Sequence, residues 1–156
     1  MPIYIDTIVC EDIRPELGGK VTLAGVFGEE VLLPVLPMAL PSLSIMQRWR
    51  LPHDEFDRGV GQFSFGMLSP DGQLQRFPPG AMTAPTKGVY VSTLSFILKF
   101  VGFPVRLKGA YKFKTYVNGV DVNTYTFYIL TPADMAAAQQ EKAIGFKAAT
   151  QSTLNK

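Results

Sequence analysis

The sequence predicts an all-β fold, an antiparallel sandwich of about seven or eight short strands followed by a short C-terminal α-helix. Three observations carry that prediction. The stretch from Gly109 to Leu130 turns at Asn118-Gly119, a pair that tolerates the positive φ of a type I′ hairpin. Before the turn, Tyr111, Phe113, Thr115 and Val117 alternate with Lys112, Lys114 and Tyr116, the period-2 pattern of a half-buried strand. Elsewhere, alternating apolar segments recur roughly every ten residues, separated by Gly- and Pro-rich turns.

Taken in order, residues Ile3 to Cys10 form a first strand, and Glu11 to Gly19 reads as a polar connection. Val21 to Phe27 alternates as a second strand. Val31 to Pro41 carries Pro34, Pro37 and Pro41, which lack the amide proton an inner ladder needs, so an edge segment or irregular crossover is expected. Leu43 to Leu51 places Leu43, Ile45, Trp49 and Leu51 inward, with Ser44, Met46, Arg48 and Arg50 outward. His53 to Gly61 is a charged loop. Val60 to Leu68 is a strand with Phe63, Phe65 and Met67 inward, and Ser69-Pro70-Asp71-Gly72 turns it into Gln73 to Phe77. Phe77 to Lys87, with four helix- and strand-breaking residues, reads as a loop that either crosses between sheets or carries recognition. Tyr90 to Phe100 is the longest strand expected.

The hairpin contains a conflict of phase. A two-residue turn pairs Val117 with Val120, which would send Val122, Thr124 and Thr126 inward. The bulky residues are Tyr125, Phe127 and Ile129, in the opposite phase. A bulge near Asn123-Thr124, or a longer loop, resolves it.

Two details give the sandwich an immunoglobulin-like cast. Trp49 is inward on an early strand, and Leu107-x-Gly109-x-Tyr111-x-Phe113 has the spacing of a tyrosine corner. The alternative is that Tyr111 is simply a core aromatic. At the C-terminal end, Thr131 suits an N-cap, Pro132 the first helical position and Asp134 the positive end of the helix dipole. The expected organisation is a sandwich domain over residues 1–130, then a helix and flexible tail over 131–156.

The chain has 156 residues, enough for one domain with a sizeable core. Its 15 basic and 13 acidic residues leave a net charge of +2, which argues against nucleic acid or an anionic membrane as partner. The single Cys10 excludes an intramolecular disulfide. With no charged-then-apolar leader at Met1, it predicts a reducing, cytoplasmic setting. No apolar run reaches the roughly 18 residues of a membrane span.

Cys10-Glu11-Asp12, then Gly19-Lys20-Val21-Thr22-Leu23-Ala24-Gly25-Val26-Phe27, then Gly109-x-Tyr111-x-Phe113 and Asn118-Gly119, resemble a family of small uncharacterised bacterial proteins with an expected β-sandwich, a domain of unknown function. The likeness covers roughly residues 3 to 130, and its motifs are structural. It implies a cytoplasmic bacterial or phage-borne protein, and no activity, cofactor or catalytic residue.

Chemistry-bearing residues are few. His53, Asp54 and Asp57 could form a metal or acid–base site, but neighbours on one loop rarely converge as ligands, and a solvated loop is the plainer reading. Cys10 has Glu11 and Asp12 beside it, which would raise its pKa, so it reads as a core residue. No phosphate-cradling glycine motif is present, and Asp6, Glu11, Asp12 and Glu16 do not match an EF-hand loop. Neither cofactor nor metal is expected. The candidate binding feature is a basic and aromatic stripe of Arg106, Lys108, Lys112, Lys114 and Tyr116. Such a stripe could hold a small anionic ligand or single-stranded nucleic acid. Outward lysines also guard sheet edges against aggregation. The function expected is a non-catalytic module that binds a partner protein or forms a homo-oligomer, with the anionic ligand as alternative.

Overall fold

The computed structural model describes residues 4–53, 62–77, 81–82, 86–87 and 92–140. In chain order the strands are β1 (Tyr4–Pro15), β2 (Val21–Val26), β3 (Glu30–Leu32), β4 (Met38–Leu51), β5 (Phe63–Leu68), β6 (Leu74–Phe77), β7 (Ala81–Met82), β8 (Thr86–Lys87), β9 (Ser92–Val105), β10 (Gly109–Val117) and β11 (Val120–Leu130). Helix α1 follows over residues 132–140. Eight of these strands have four residues or more, and β3, β7 and β8 are the short ones. They form two sheets, one ordered β2-β1-β4-β9-β7 with β8 also on β9, the other β3-β11-β10-β5-β6.

The sheets pack face to face, as the alternating pattern requires. Trp49 of β4 meets Phe63 of β5 at 6.3 Å between ring centroids, and Phe65 of β5 meets Phe96 of β9 at 5.5 Å. Trp49, Phe65, Phe96, Phe113 and Phe127 are all sealed from solvent in this core.

The hairpin resolves its phase conflict with a bulge. Val117 pairs with Val120 across a two-residue turn, Tyr116 with Asp121, and then Thr115 with Asn123, so Val122 is the extra residue. Beyond it Phe127 and Ile129 are buried, and Tyr125 packs on the same core. Asn118 takes φ +49° and Gly119 φ +80°, as the turn demands. The tyrosine corner is also present, with the Tyr111 hydroxyl donating to the Leu107 carbonyl at 3.0 Å.

Three elements differ from the sequence reading. β1 runs on to Pro15 instead of ending at Cys10, because Asp12 to Pro15 pair with Val21 to Ala24 and Ile13 is fully buried. The connection shrinks to a short 3₁₀ turn at Leu17–Gly19. β4 begins at Met38 and includes Pro41. That proline is tolerated because β1 joins β4 only from Ser44 onward, so Pro41 lacks a neighbour on one side. The expected Phe77 to Lys87 loop contains β7 and β8, each paired to β9.

Gln47 is the residue the alternation concealed. It shares the inward phase of Trp49, is fully buried, and sits in a polar network between the sheets. Its Oε1 accepts from Thr115 Oγ1 at 2.9 Å and from Trp49 Nε1 at 3.2 Å, and its Nε2 donates to Thr7 Oγ1 at 3.0 Å. Asn123 Nδ2 donates to the same Thr7 oxygen at 3.3 Å. A buried amide is stable only when its donors and acceptors are matched this way. On the opposite face of the first sheet, Cys10, Ile13, Met46 and Ile97 form a second buried cluster, so Met46 is outward in phase yet not exposed.

Candidate recognition groove

Three short segments converge at one end of the sandwich. Residues 34–36 lead into β4, residues 106–108 join β9 to β10, and residues 131–133 open α1. Together they line a depression of about 630 Å³. Its surface is mostly apolar, with Pro34, Leu36 and Pro132 around Val35 and Leu107, which are 60% and 42% exposed. Arg106 and Lys108 are its charged lining residues.

The 106–108 segment is held from both ends. Tyr111, buried in the core, pins the Leu107 carbonyl as described. Lys108 Nζ lies 2.5 Å from Asp134 Oδ1. The other carboxylate oxygen of Asp134 accepts from the Thr131 amide at 2.9 Å and the Thr131 hydroxyl at 2.6 Å, the reach-back of a capping box. Lys108 first, and then Thr131, hold the Asp134 carboxyl at about 2. Loop and helix start are thereby tied to each other.

A second cavity of about 210 Å³ lies on the other side of the same segment. Met67, Phe103 and Tyr111 give it buried walls, and Ser69, Asp71, Gln73, Gln75 and Arg106 give it polar ones. Arg106 and Leu107 line both spaces.

The five residues of the expected stripe therefore divide between two places. Arg106 and Lys108 line the end groove. Lys112, Lys114 and Tyr116 lie along β10, which is flanked by β11 and β5 and is no edge strand, so these lysines guard no edge. Lys114 Nζ is 2.6 Å from Asp121 Oδ2, which raises the lysine's pKa. The Tyr116 ring is buried and covered by the Arg76 guanidinium, 4.6 Å from its centroid. Lys112 is exposed, without a carboxylate partner among the described residues. Arg48 and Arg50 belong to the other sheet, where Arg50 meets Asp6 at 3.4 Å.

His53 is partly buried, and its Nε2 atom is sealed without a hydrogen-bond partner among the described residues; Asp54 and Asp57 lie outside them. Among the described residues no three of His, Cys, Asp and Glu converge as a metal set. Burial, followed by Asp12, pushes the Cys10 thiol up, in the direction the sequence suggested. Asp12 itself is held at about 2 by Arg14 and then Lys99.

Set against known families, residues 6–130 match the model of a family of unknown function, DUF6941. The chain belongs to the DUF6941 family. The match covers both sheets from within β1 to the end of β11, so the sandwich is the family's shared unit, and α1 lies beyond it. No curated protein matches the sequence. No described helix is long and apolar enough to cross a membrane.

Proposed function

We propose that this DUF6941 protein is a non-catalytic recognition module that holds an extended, apolar and acidic segment of a partner protein in the end groove. The observation that carries this reading is Val35 and Leu107, side chains left 60% and 42% exposed in one depression lined also by Arg106 and by Lys108, the lysine paired with Asp134. Covering such side chains gains roughly 25 cal/mol per Å² of apolar surface removed from water. Cationic Arg106 selects a segment bearing carboxylates, and bidentate pairing gives it direction. The segment 106–108 is already fixed by Tyr111 and Asp134, so it loses little further freedom on binding. Cys10 is buried with its pKa raised, which supports a non-catalytic role for that thiol.

Display of a random peptide library against the full chain tests this. Enrichment of sequences combining apolar residues with Asp or Glu, abolished by Val35→Asp and reduced by Arg106→Gln, is expected. Equal enrichment on the wild type and Val35→Asp would overturn it. Native mass spectrometry of the unliganded protein separates out self-assembly, which would appear at a multiple of 17.2 kDa.

A second reading, binding of a small anionic ligand or single-stranded nucleic acid on the β10 face, draws on Lys112, an exposed cation on a central strand. Lys114 and Tyr116 would have to exchange Asp121 and Arg76 for the ligand. An oligonucleotide whose affinity survives Lys112→Glu with Lys114→Glu removes this reading.

A further inference from the structure

The smaller cavity carries a separate inference. It lies between the hairpin turn that joins β5 to β6 and the segment that joins β9 to β10. Asp71 and Arg106 both line it. Among the described residues neither takes part in an ion pair, with the other or with any third group.

Both charges sit on fixed backbone. In the turn, the Gly72 amide donates to the Ser69 carbonyl at 3.0 Å, the Ser69 amide donates to the Gln73 carbonyl at 2.9 Å, and Gly72 takes φ +83°. The Gln73 amide also donates to Asp71 Oδ1 at 3.2 Å, which sets the carboxylate's direction and leaves Oδ2 free to accept. Across the cavity, Arg106 belongs to the segment that the tyrosine corner fixes one residue later. Pro70 of the turn lies 3.4 Å from where a side chain on Gly109 would begin, so turn and segment run close beside one another.

We propose that this cavity binds a free α-amino acid with a small side chain. Two opposite charges that line one space without collapsing onto each other are complementary to a ligand carrying both. The ligand's carboxylate takes the forked donors of Arg106, and its ammonium donates to Asp71. Gln73 and Gln75 can donate to or accept from its remaining polar groups, and the buried walls shed water around its side chain. The space of about 210 Å³ has room for a ligand of this size.

The inference shares Arg106 with the partner-segment reading, but Val35 lines only the larger groove and Asp71 only the smaller cavity, so Val35→Asp and Asp71→Asn tell the two apart. The test is titration of the full chain with L-alanine or L-serine, followed by amide chemical shifts, with propionate and ethylamine as single-charge controls. Shifts confined to residues 69–75 and 103–111, a weaker response to either control, and at least tenfold weaker binding in both Arg106→Gln and Asp71→Asn are expected. Val35→Asp should bind the amino acid as the wild type does. Absence of shifts with either amino acid, propionate binding as tightly as alanine, or unchanged affinity in both charge variants would overturn it. Both substitutions are at exposed side chains, and an unchanged spectrum elsewhere certifies the fold.

Discussion

Thr115 on β10 donates its hydroxyl proton to Gln47 Oε1 on β4 at 2.9 Å, joining the two sheets by a polar bond inside an aromatic core. The same oxygen accepts from Trp49, and the same amide donates to Thr7, so one side chain coordinates partners on three strands. Gln47→Leu should cost about 2–3 kcal/mol, since it strands the Trp49 and Thr115 donors in the core. Thr115→Val should cost about 1 kcal/mol, because Trp49 still serves the glutamine oxygen. Urea denaturation of the two variants and their double mutant measures the coupling. Strict additivity would show that the bond contributes nothing of its own.

Tyr111→Phe removes the donor to Leu107 and leaves the ring in place. Its expected cost is about 1 kcal/mol in urea unfolding, with the fold unchanged. Burial raises the phenol's pKa, so its contribution is complete below the ordinary value of 10.0 and is lost as pH rises through the higher folded value. The alkaline loss of stability should therefore be smaller in the phenylalanine variant.

Asp134 offers a pH test of the loop–helix tie. Its carboxyl is lowered from 3.8 to about 2, so the contacts are intact above 3.8 and are released as pH falls through 2. Side-chain carboxyl titration by NMR should give that value. Lys108→Met, which removes the leading cause, should move it back toward 3.8. A titration indifferent to Lys108 would refute the tie.

The hairpin turn should be intolerant of side chains that avoid positive φ. Gly119→Ala places a β-carbon at φ +80° and should destabilise by about 1–2 kcal/mol. Asn118→Ala at φ +49° should cost a similar amount, having also lost the 3.0 Å bond from the Gln62 amide to Asn118 Oδ1. Thermal unfolding decides both.

The Asn118-Gly119 turn, a bulge beyond it and the helix start at Thr131 were legible in the sequence, because each follows from residues a few positions apart. The bulge falls at Val122, just before the expected Asn123-Thr124. The choice between a tyrosine corner and a plain core aromatic waited for the Tyr111 bond to Leu107. The polar stretch before Gly19 does not read as a strand, because over Asp12 to Pro15 β1 pairs with β2 alone, and a stretch open on one side need not look apolar. Gln47 was passed over for a related reason. An amide at an inward position reads as an interruption until its partners, 40 and 68 positions away, are in place.

By itself, then, the sequence determined the alternating strands, the turns between them and an all-β core, because backbone sterics and side-chain period act locally. Only the tertiary structure decided that β10 is central, that Lys112 and Arg106 occupy different surfaces, and that residues 34–36, 106–108 and 131–133 meet in one groove. Those relations depend on which strands pair over long separations, and pairing is chosen by the packing of whole sheets against each other.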